Sequence, residues 1–83
     1  MMTKKQMKET IKKQYMKAIC EAEKAKKDYM QALNDGVGEM QKLSFRDDFV
    51  AKRTEEYVIE DLATLLNLMT SEELQEVKNQ IVD

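Results

Sequence analysis

The chain of 83 residues contains no proline, no histidine and no tryptophan, only two glycines and a single cysteine. Each absence excludes something. Without proline, and with Gly36 and Gly38 as the sole breakers, nothing interrupts long helices, and the abundance of Ala, Glu, Lys, Gln, Leu and Met favours them. No sheet is expected. Cys20 has no partner for an intrachain disulfide. With no imidazole and one thiol, no zinc cluster can be assembled, and the commonest general base of nucleophilic catalysis is missing. The chain therefore reads as a non-enzyme with no metal and no cofactor. No apolar run approaches the roughly 18–20 residues that cross a bilayer, and the start Met1-Met2-Thr3-Lys4-Lys5 lacks the apolar stretch of a signal peptide. The expected location is cytoplasmic, which a reduced lone cysteine and seven methionines fit.

What is present is charge, unevenly placed. In residues 1–30 nine lysines face four carboxylates, a balance of +5, whereas residues 31–83 hold five cations against twelve carboxylates, a balance of −7. The net charge is −2. Such asymmetry suggests a basic arm, an acidic body, or two halves that neutralise each other within or between chains.

The apolar pattern predicts one all-α domain over 1–83 with helices near 3–34, 45–68 and 71–82 and a turn at 35–44. In the first helix Ile11, Tyr15, Ala18, Ala22, Ala25, Tyr29 and Ala32 recur in steps of four and three, the spacing of a coiled-coil seam. Met16, Ile19, Met30 and Leu33 form a flanking stripe. A helix of some 30 residues would be roughly 45 Å long, more than the diameter of a compact domain of this size. The seam formed by Ile11, Tyr15, Ala18, Ala22, Ala25 and Tyr29 is therefore expected to join copies into a dimer or higher helical oligomer.

Asn34-Asp35-Gly36-Val37-Gly38 punctuates the chain, because Asn and Gly readily take the left-handed conformation that ends a helix. Ser44 with Asp47 resembles a helix start. In the helix that follows, the run from Val58 to Met69 is apolar on almost every side and reads as core. Thr70-Ser71-Glu72-Glu73 is a capping-box pattern, after which Leu74, Val77 and Ile81 form a stripe able to fold back on Leu62, Leu65 and Met69 as a helical hairpin.

Few residues offer chemistry. The pairs Asp47-Asp48, Glu55-Glu56, Glu60-Asp61 and Glu72-Glu73 read as solvated acidic surface, Cys20 as a small residue at the edge of the seam, and Gly36-Val37-Gly38 as turn rather than phosphate loop. The candidate partner-binding residues are Lys4, Lys5, Lys8, Lys12, Lys13 and Lys17, opposed in their segment by Glu9 alone. Lys5, Lys8 and Lys12 share one helix face, a ladder able to follow acidic side chains or phosphates. The segment lacks the arginines and aromatic platforms that base readout and stacking use.

A long charged helix, a turn near Gly36 and a second helix opening with Phe45 and Phe49 loosely resemble, over residues 19–50, small helical double-stranded-DNA-binding proteins of phages and bacterial nucleoids. That resemblance implies binding to nucleic acid, and the acidic second half departs from it. Small proline-free, lysine- and methionine-rich helical chains are also similar to phage and mobile-element accessory proteins that act by binding a host factor. The preferred expectation is a regulator, inhibitor or adaptor that binds a protein partner stoichiometrically. Alternatives are a nucleic-acid binder using the lysine ladder and an oligomer sequestering an anionic small molecule such as a nucleotide.

Overall fold

The computed structural model describes residues 2–82, which form three helices and no strand: α1 (Lys4–Asp35), α2 (Glu39–Leu65) and α3 (Ser71–Val82). α1 starts at a capping box. The Thr3 hydroxyl accepts the Gln6 N–H at 3.1 Å while Gln6 Oε1 accepts the Thr3 N–H at 2.9 Å, which satisfies two donors that a helix start otherwise leaves bare. The helix ends at Gly36, whose φ of 68° is left-handed. The Gly36 and Val37 N–H groups then bond back to the Leu33 and Ala32 carbonyls at 3.4 and 3.3 Å, an arrangement that glycine adopts without steric cost.

The turn is much shorter than the 35–44 read from sequence. α2 begins at Glu39, directly after Gly38, and Ser44 and Asp47 lie inside it instead of capping a helix at Phe45. The reason is local: Glu39 to Leu43 holds good helix formers, and Glu39 sits where the helix dipole favours a carboxylate. At its other end α2 stops at Leu65 instead of 68. Asn67 takes φ 55°, and Leu68 and Asn67 donate back to the Ala63 and Thr64 carbonyls at 2.9 and 3.1 Å. Asparagine tolerates this conformation better than other residues bearing a side chain. α3 then opens at the predicted box, with Glu73 N–H donating to the Thr70 hydroxyl and Thr70 N–H to Glu73 Oε1, each at 3.2 Å.

α1 and α2 form an antiparallel hairpin, and α3 folds back along α1. Cross-links fix the register: Tyr15 to Glu60, Glu21 to Lys52, Glu23 to Arg53 and Tyr29 to Phe49. The molecule measures 49 × 25 × 17 Å. It is a rod rather than a ball, and α2, at 27 residues, runs beside most of α1. The alanines make this possible. Ala18, Ala22, Ala25 and Ala32 are buried, and small side chains let the two helices approach closely.

The apolar core occupies the end of the rod where all three helices meet. Tyr15 and Ile19 of α1 pack with Ala63, Met69, Leu74 and Val77, and Ile11, Ile59 and Ile81 close its edge. Fully burying a side chain of this kind contributes about 1.5–3 kcal/mol, so a core this small leaves much of the cohesion to the alanine contact and to polar links.

Candidate functional site

The six residues expected to join copies lie against their own chain. Tyr15 and Ala22 have no exposed surface, Ala18 and Ala25 are buried, Ile11 packs on the core edge, and the half-buried Tyr29 ring lies 6.4 Å from that of Phe49. The seam is a real contact line, filled from within. A second copy could reach it only after the hairpin had opened.

A charged network lies beside it that the sequence reading missed. Glu56, taken with Glu55 as solvated surface, is wholly buried. Its Oε2 accepts from Arg53 at 2.6 Å, and its Oε1 lies 3.1 Å from Lys78 Nζ on α3. Arg53 also donates to Glu23 of α1 at 3.0 Å and stands 5.3 Å above the centre of the Phe49 ring. Burial works against the Arg53 charge, but the hydrogen bonds to Glu23 and Glu56 outweigh it and raise its pKa above the ordinary value. Tyr15 donates to Glu60 Oε1 at 3.2 Å, and burial together with that carboxylate raises its phenol well above the usual range. One chain of charge thus ties all three helices. Its role is cohesion, because the cations and anions in it neutralise one another inside the fold.

The predicted lysines differ in their surroundings. Lys8 is committed to Glu73 at 2.6 Å, linking α1 to α3, and Lys17 lies 4.0 Å from Glu21. The remaining four, Lys4, Lys5, Lys12 and Lys13, are exposed and make no ion pair among the described residues. Lys4 and Lys5 line a shallow cleft of about 490 Å³ beside Asn67 and Thr70. Among the described residues no cluster of metal-ligating side chains is assembled, and Cys20 is exposed.

The largest departure from the sequence reading is on α2. The apolar run from Val58 to Met69 splits: Ala63, Leu68 and Met69 are buried, with Ile59 packed beside them, while Val58, Leu62, Leu65 and Leu66 face solvent. Leu65 is 78 % exposed. With α1 as the principal neighbour of both α2 and α3, the back of α2 is left bare. Val50 and Tyr57 are exposed as well, about a quarter-turn around α2 from Val58. Lone exposed apolar residues are commonplace on protein surfaces; several on one helix make this face a candidate binding surface.

No protein-family model, curated protein or solved structure matches the chain. The functional reading therefore rests on these surfaces.

Proposed function

We propose that the protein is a non-catalytic interaction module, a small regulator, inhibitor or adaptor that works by stoichiometric binding to a protein partner. The observation that supports this is the exposed strip Val58, Leu62 and Leu65 on the back of α2. Full burial of such a side chain contributes about 1.5–3 kcal/mol, and these are already partly covered, so the strip would act as the anchor of a larger contact rather than the whole of it. Function is then a matter of which protein covers this face.

A second reading draws on Lys4, Lys5, Lys12 and Lys13, whose charges are not spent on ion pairs among the described residues and could contact phosphates. The two are separated by placing a photo-crosslinking side chain at position 65 in one sample and at position 13 in another, each expressed in the cells the protein comes from. The protein-partner reading expects a discrete protein adduct of fixed stoichiometry from position 65. Nucleic-acid adducts from position 13, with none from 65, would replace it with the second reading.

A further inference from the structure

From Thr54 to Val77 the chain holds seven carboxylates and no lysine or arginine. Three of the seven are used internally: Glu56 binds Arg53 and Lys78, Glu60 accepts from Tyr15, and Glu73 binds Lys8. Glu55 and Asp61 are not. Both are exposed, and neither has an ion-pair partner among the described residues.

Their positions on α2 give this significance. At 3.6 residues per turn, Val58, Leu62 and Leu65 follow the i, i+4, i+7 spacing of one helix face, with Asp61 along one edge and Glu55 along the other. The face is an apolar strip between two acidic rims. We infer that it is the docking site for a basic amphipathic helix of a partner protein, one presenting apolar residues at matching spacing with lysine or arginine on both flanks. The inference rests on the protein-partner reading above and specifies the chemistry of that partner.

Charge decides between this occupant and the others. A second copy docking through the same face would set acidic rims against acidic rims, which costs affinity. A second copy offering α1 would bring Lys26 and Lys27 with the exposed Met30 and Leu33, but that contact joins two different faces, so it leaves an open face on each copy and builds chains of molecules rather than a closed pair. An anionic lipid surface is repelled by Glu55 and Asp61.

The test uses the full chain and two synthetic amphipathic helices with the same leucine pattern, one carrying lysine and the other glutamate on its polar face. A third peptide of the lysine composition, scrambled to destroy the apolar face, controls for simple charge attraction. Titration calorimetry is expected to show one-to-one binding of the lysine helix, about tenfold or more tighter than either other peptide. Leu65→Ser should weaken it by about tenfold, since one apolar anchor is lost, and Glu55→Lys with Asp61→Lys should reverse the preference toward the glutamate helix. All these positions are exposed, so unchanged thermal melts verify that the variants fold. Equal binding of the peptides, no binding of the lysine helix, indifference to Leu65→Ser, or concentration-dependent dimerisation abolished by Leu65→Ser would each overturn the inference. Protein adducts from position 65 in cells alongside such a result would leave the protein-partner reading standing; absence of adducts there would remove both.

Discussion

Glu56 on α2 and Lys78 on α3 lie 3.1 Å apart, Oε1 to Nζ, with the carboxylate wholly buried and that oxygen receiving no aligned hydrogen bond. The same carboxylate holds Arg53 through its other oxygen. Removing one member of a buried ion network costs about 3–5 kcal/mol, because the remaining charges lose their compensation, whereas replacing the whole set with apolar residues is often neutral or stabilising. Glu56→Met is therefore expected to destabilise the fold by about 3 kcal/mol, and Lys78→Met added to it should restore part of that loss. Urea denaturation of the two single variants and the double variant measures this coupling.

Glu73 supplies a pH dependence with a definite sign. The hydrogen bond from Lys8, followed by that from the Thr70 N–H, lowers its pKa below the ordinary carboxylate value. A lowered folded-state value means that the contribution is present above the unfolded-state pKa and is lost as pH falls through the folded one. Glu73→Gln keeps an oxygen for the Thr70 N–H but removes the charge. Melting temperatures of the two proteins should differ at neutral pH and converge in acid, and a gap that persisted at the acid end would refute this assignment.

Asn67 tests the end of α2. A β-branched side chain at φ 55° is strained, so Asn67→Val should lose about 1–2 kcal/mol, while Asn67→Gly should be neutral or stabilising. Thermal denaturation of both variants gives the comparison, and equal losses would show that the asparagine side chain rather than the backbone matters.

The alanine contact predicts a contrast between two neighbouring positions. Ala22 has no exposed surface, and Ala22→Leu would force α1 and α2 apart at a cost of about 1–3 kcal/mol. Cys20→Leu, on the exposed side of the same turn, should fall within about 0.5 kcal/mol of the parent. Chemical denaturation of each reads the difference directly.

Some of this was legible in the sequence and some was not, for physical reasons. The Thr70–Glu73 box and the ending at Gly36 depend on residues three or four apart, so their signals are local and were read. The Ser44 signal was equally local but false, since a helix already running from Glu39 has no need of a new start. The spacing of Tyr15, Ala18, Ala22 and Ala25 showed that something covers them, but no periodicity says whether the cover is the same chain. Glu56 differs from Glu55 by one residue, and one step of 100° along a helix separates solvent from interior. Val58 to Met69 reads as core because the run is apolar on almost every side. Three helices can cover only one side of it, and composition does not reveal which side is left over.

A methyl group at Gly36 or Gly38 would meet nothing but its own neighbours in the chain. The loop Gly36–Gly38 sits at the end of the rod away from α3, whose ties run to Lys8 and Glu56. The tip is accordingly a natural handle: a fluorophore, an affinity tag or an inserted domain placed there extends the rod without touching the core or the α2 face, so the protein can be immobilised or followed by light while its candidate surfaces stay free.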